Sequence, residues 1–141
     1  MKYIKSHALY IAWTVSVLSV LGSLYFSEVL HYAPCVLCWF QRICSYPLVL
    51  ILGAGILRRD RNVIFYALPL SFLGLLIAGY HNLLYWQIIP ESLSPCVVGV
   101  SCLTKYINYF GFISIPFLSF ISFLVIVGCL WLYTKTDIKG A

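Results

Sequence analysis

Cys35 and Cys38 are followed four residues later by Arg42 in the run Cys35-Val36-Leu37-Cys38-Trp39-Phe40-Gln41-Arg42. A dithiol at this spacing can close to a disulfide and exchange it, and the reacting species is the thiolate, which needs nearby positive charge. Pro34 suits the start of a helix, where its missing N–H is tolerated. A helix beginning here places Cys35, Cys38 and Arg42 at i, i+3 and i+7 on one face. Its N-terminus supplies part of the positive charge and Arg42 can supply the rest. The spacing therefore predicts a redox site on one stripe.

A second pair, Cys96 and Cys102, encloses five residues including Gly99. A disulfide can close so small a loop if the Cα atoms come within about 7 Å. By itself the pair reads as a structural staple. Beside an exposed Cys-x-x-Cys on the same side, an exchange relay is at least as good a reading. A zinc corner built from all four cysteines is disfavoured, because one pair opens a helix and the other frames the insert Val97-Val98-Gly99-Val100. Cys44, about half a turn out of phase with Cys35, and Cys129 lie in hydrophobic runs and read as small apolar filling. Arg42 has a plain alternative in snorkelling to headgroups, yet a charge in a spanning helix points to function by default. His81 can be an interface histidine with one local hydrogen bond or a proton carrier. Glu91 reads as a solvated loop charge.

The elements that position these groups follow from composition. The chain has 141 residues, 62% hydrophobic and 9% charged, whereas a soluble domain carries about a quarter charged residues. Four apolar stretches each approach the roughly 20 residues that span a bilayer. The expected fold is an all-α integral membrane four-helix bundle with short loops, a single transmembrane domain over 1–141 with helices at about 8–27, 36–57, 63–82 and 112–133. Short connections make successive helices antiparallel neighbours. Pro47, Pro69 and Pro116 fall in apolar stretches, where kinks are expected and membrane helices can re-satisfy the freed carbonyls. A cleaved signal peptide is disfavoured, since the first apolar run is too long and no small-x-small site follows it.

Lys2, Lys5, Arg58, Arg59, Arg61, Lys135 and Lys139 fall on one side of this arrangement, and only Arg42 and Lys105 on the other. The positive-inside rule puts both termini and the Arg58–Arg61 turn in the cytoplasm. The net charge of +5 is then a topology signal, and nucleic-acid binding has no support. Both outer loops carry cysteine pairs, on the side where disulfides persist. Leu103 to Phe110 mixes aromatic and polar residues and reads as an interfacial segment.

With Pro34 before it and a second outer cysteine pair after it, the Cys35–Arg42 run strongly resembles the DsbB family of bacterial disulfide-forming membrane oxidoreductases. The short chain is similar to BdbC-type members, and the likeness runs from the first helix through the fourth. The resemblance implies a thiol:quinone oxidoreductase that re-oxidises a secreted or membrane-anchored, DsbA-like thioredoxin-fold thiol oxidase and passes electrons to menaquinone or ubiquinone. It implies that Cys35 and Cys38 are the quinone-linked pair, with Cys38 the thiolate beside the ring. Arg42 would stabilise that thiolate and contact a quinone oxygen, and His81 loosely matches a family histidine near the quinone. Cys96 and Cys102 would exchange with the partner, Cys96 taking the mixed disulfide. One departure is the very short Cys96–Cys102 loop, which bears on how this pair reaches Cys35. A vitamin-K-epoxide-reductase-like protein and a non-enzymatic scaffold with two structural disulfides are the rival readings.

Overall fold

The computed structural model describes residues 2–96, 99–103 and 114–139. The interfacial segment expected after Leu103, with Lys105, lies outside the described residues, as do Val97 and Val98. Four long helices carry the structure: α1 (Lys2–Leu24), α2 (Val36–Arg58), α3 (Val63–Tyr85) and α4 (Ile115–Lys139). Each contains a stretch long and apolar enough to cross a membrane, and the described residues contain no strand. The protein is an all-α, four-helix, multi-pass membrane protein. α1 packs on α2 and α4, and α3 packs on the same two helices, closing a four-membered ring.

The pattern of burial is that of a chain solvated by lipid. Leu57 is 86% exposed and Phe65 77%, while Gln41, Arg42, His81 and Asn82 are buried. In water that arrangement is costly, but in hydrocarbon apolar side chains lose nothing by facing outward and polar ones must find partners inside. The main core contains Leu48, Leu52, Ala67, Ala78, Phe123 and Ile126. A separate cluster contains Cys35, Leu37, Leu84, Cys96 and Cys102. Cys44 is buried in the main core and Cys129 packs against it.

Local chemistry sets the helix ends. α2 begins at Val36, with Cys35 as its cap in extended conformation (φ −76°, ψ 173°), one residue later than a helix opening at Cys35. Pro34 therefore stands just outside the helix. α2 stops where Arg59 enters the left-handed region at φ 53° and the Asp60 N–H donates back to the Gly55 carbonyl at 3.0 Å, a Schellman-type ending. Pro47 and Pro69 lie within α2 and α3. Pro116 instead occupies the first turn of α4, where a missing N–H removes no helical bond, so the kink expected there has no cause. α1 continues into a π turn over Tyr25–Val29. Asn82 ties α3 to α4, its Nδ2 donating to the carbonyls of Ala78 at 2.8 Å and Pro116 at 2.9 Å.

Candidate redox site

Cys35 and Cys38, one at the cap of α2 and one in its first turn, are free thiols with sulfurs 3.1 Å apart. Cys96 and Cys102 are joined by a disulfide, their Cα atoms 5.8 Å apart. Gly99, at φ 100°, supplies the backbone conformation that lets this short link fold back. The loop is held over α3 by Tyr80 Oη, which donates to the Leu93 carbonyl at 2.9 Å. Ser101 Oγ donates to Glu91 Oε1, also at 2.9 Å. As a result the Sγ atoms of Cys35, Cys96 and Cys102 all lie within 4.8 Å of one another. No rearrangement of the short loop is needed to bring the two pairs together.

His81, near the C-terminal end of α3, is buried, with Nε2 3.8 Å from Cys35 Sγ. Its Nδ1 lies 3.1 Å from Gln41 Nε2. Cys35 is held well below the ordinary thiol range, at about 4, first by its hydrogen bond with Cys38 and then, against the opposing effect of burial, by the hydrogen bond and charge of His81. Arg42 is buried as well. Its Nε donates to Ser23 Oγ and its Nη2 to the Ser23 carbonyl, both at 2.8 Å, and its guanidinium lies 5.3 Å from the Trp39 ring centroid. These bonds fix the arginine against α1, two residues before the π turn begins. Plain snorkelling leaves the head in water, so the buried, doubly bonded guanidinium does not behave as a snorkelling one.

A cavity of about 70 Å³ is bordered by Cys35, Cys38, Arg42 and His81, with Phe26, Tyr32 and Pro116 among its walls. Phe26 and Tyr32 stack at 6.4 Å with an interplanar angle of 10°. At Cys38 and Arg42 the cavity adjoins a groove of about 300 Å³ between α1, α2 and α4, lined by Val15, Leu18, Val20, Leu118 and several serines. The arrangement can therefore exchange disulfides on one side and meet an apolar molecule with a polar head on the other.

The family description "Disulfide bond formation protein DsbB" matches residues 5–133. The chain belongs to the DsbB family. It is 49% identical over 121 residues to "Disulfide bond formation protein C" of Bacillus subtilis, covering 84% of this chain and 86% of that one. It is 48% identical over 133 residues to "Probable disulfide formation protein C 2" of Bacillus anthracis, 94% of each chain. No solved structure matches it. Membership of the DsbB family makes this a disulfide-forming membrane oxidoreductase.

All six residues singled out from the sequence, Cys35, Cys38, Arg42, His81, Cys96 and Cys102, meet in this region. Two polar partners were not foreseen as part of it. Gln41 carries a sequence signal: an amide three residues after Cys38, on the same helical face in a membrane span, needs an interior partner. Ser23 carries none, because its pairing with Arg42 depends on how α1 lies against α2.

Proposed function

We propose that this protein is a thiol:quinone oxidoreductase that re-oxidises an extracytoplasmic, DsbA-like thioredoxin-fold partner, with both termini cytoplasmic and both cysteine pairs on the outer face. The observation that carries the reading is the contact between the pairs, Cys35 Sγ lying within 4.8 Å of both outer sulfurs. The partner's dithiol attacks the Cys96–Cys102 disulfide, leaves as a disulfide, and delivers two electrons and two protons to the outer pair. An outer thiolate then attacks the Cys35–Cys38 disulfide at Cys35. The second outer thiol resolves that bond, restoring Cys96–Cys102 and leaving Cys35 and Cys38 reduced. That combination of an outer disulfide and an inner dithiol is the one the structure holds.

The cavity and its groove suit menaquinone or ubiquinone: an arginine and a thiol at the polar end, apolar walls along the span. The inner dithiol would give its two electrons and two protons to a quinone held there, which would supply the oxidant. Cys38 and Arg42 would hold the ring end, Arg42 keeping positive charge beside the sulfur in a region of low dielectric. His81, with a ring nitrogen facing Cys35, would hold the proton that Cys35 releases.

The test is single- and multiple-turnover oxidation of a reduced thioredoxin-fold substrate with a defined quinone. One quinol should form per disulfide made, and Cys35→Ser, Cys38→Ser, Cys96→Ser and Cys102→Ser should each abolish turnover. Disulfide formation without quinol, or full turnover in Cys96→Ser, would overturn the reading.

A further inference from the structure

The inner pair and His81 also have the composition of a metal site. The sulfurs of Cys35 and Cys38 and a ring nitrogen of His81 lie within 4.8 Å of one another, with Cys35 Sγ 3.8 Å from His81 Nε2. A tetrahedral ion with metal–sulfur bonds of about 2.3 Å and metal–nitrogen bonds of about 2.0–2.1 Å requires ligand atoms about 3.6–3.8 Å apart. The sulfur–nitrogen distance already meets that. The two sulfurs, at 3.1 Å, need to part by about 0.7 Å, which a rotation of the half-buried Cys38 side chain can supply.

A second observation is independent of the ligand distances. Histidines that bind metals nearly always donate their other ring N–H to an orienting acceptor. The far nitrogen of His81, Nδ1, is already paired with the amide of Gln41 at 3.1 Å. A 180° turn of that amide places Oε1 where Nε2 stands, and Oε1 then accepts the Nδ1–H that a metal-bound imidazole carries. The adjoining cavity, bordered by all three ligands, leaves a fourth position open.

We propose that the dithiol form of this protein binds one soft, closed-shell dication of the Zn2+ type through Cys35, Cys38 and His81, with Gln41 orienting the histidine. Binding releases two protons, one from the Cys38 thiol and one shared between Cys35 and His81, and moves no electrons. Once Cys35 and Cys38 are joined as a disulfide, neither thiolate remains and the site is gone. The site is therefore gated by redox state, and a bound ion withdraws both inner sulfurs from exchange. It differs from a structural zinc corner of four cysteines, since Cys96 and Cys102 are bonded to each other here.

The experiment uses the full chain in detergent with Cys44→Ala and Cys129→Ala, which removes the two core thiols. Protein reduced at the inner pair is titrated with Cd2+, read by thiolate-to-metal charge-transfer absorbance, and Zn2+ is then used as competitor. One Cd2+ should bind per reduced chain and none to the oxidised form, with Zn2+ displacing it. Gln41→Leu should weaken binding by about 10–100-fold, as loss of an orienting partner does, and His81→Ala by at least as much. A Cys96→Ser/Cys102→Ser form should still bind one ion. Equal binding by oxidised protein, unaltered affinity in both the His81 and Gln41 variants, or loss of binding in the double serine form would each overturn the proposal. The readout is binding and not turnover, so failure of the quinone reading leaves it unaffected.

Discussion

Cys35 is acted on by Cys38 from its own helix and by His81 from α3. Its hydrogen bond with Cys38 and the proximity of His81 hold it at about 4 despite burial, so in the reduced protein its thiolate persists well into acid. Rapid alkylation by iodoacetamide, in the presence of a chelator, should therefore continue at pH 5 to 6, where an ordinary thiol of pKa about 8.5 is almost fully protonated. His81→Ala removes a donor and a charge that lower the Cys35 pKa while leaving burial in place. The alkylation midpoint should then move upward; an unmoved midpoint would detach His81 from the cysteine. Arg42 invites a graded test. Arg42→Lys keeps the charge but loses the planar fork that reaches both the hydroxyl and the carbonyl of Ser23, whereas Arg42→Met loses both. Charge-assisted hydrogen bonds contribute about 1.5–3 kcal/mol, so Met should lower quinone-dependent turnover by about tenfold or more and Lys by less. Both should leave exchange between partner and outer pair largely intact, as followed by trapping the mixed disulfide.

The helices hold this chemistry through close approaches at a few positions. A Cβ at Gly74 would run into the ring of Phe123, which is 1% exposed in the core between α3 and α4. Gly74→Ala should therefore destabilise the bundle by about 1–3 kcal/mol, the usual cost of overpacking. Gly128 meets nothing within 4 Å, so Gly128→Ala should be neutral or stabilise by up to about 1 kcal/mol through helix propensity. Unfolding in detergent compares the two directly, and equal effects would contradict the packing described. The helices themselves were legible in the sequence because the apolar runs are long and the charges between them few. Their fine structure was less so. Pro116 reads as an internal proline until the start of α4 is known. The π turn at Tyr25–Val29 contains neither glycine nor proline, and it coincides with Arg42 taking the carbonyl of Ser23, a contact made between helices.

At the scale of the whole molecule, the sequence carried the membership of the site but not its closeness. Cys35, Cys38 and Arg42 share one helix, so spacing alone joins them. Cys96, Cys102 and His81 reach them through the packing of α3 on α2 and the folding of a loop, neither of which has a local signature. Ser23 was missed for the same reason, whereas Gln41, three residues after Cys38 on the same helical face, carried a signal that went unread. Orientation in the bilayer rests on the basic residues. In intact cells treated with reductant, a membrane-impermeant maleimide should label cysteines of the two pairs before the cytoplasmic face is opened. Labelling only after opening would invert the topology and separate the site from any secreted partner.

The relay depends most on direct contact between the two pairs, and one thiol left in each pair tests it. In native membranes, Cys38→Ser/Cys102→Ser leaves Cys35 facing Cys96, and Cys38→Ser/Cys96→Ser leaves Cys35 facing Cys102. Because all three sulfurs lie within 4.8 Å, mild oxidation should form an intramolecular disulfide from Cys35 in each variant, identified by peptide mapping. Cys44 and Cys129, packed in the separate core, should remain unlinked and serve as internal controls. Persistent free Cys35 in both variants, or links to Cys44 or Cys129 in its place, would contradict the relay.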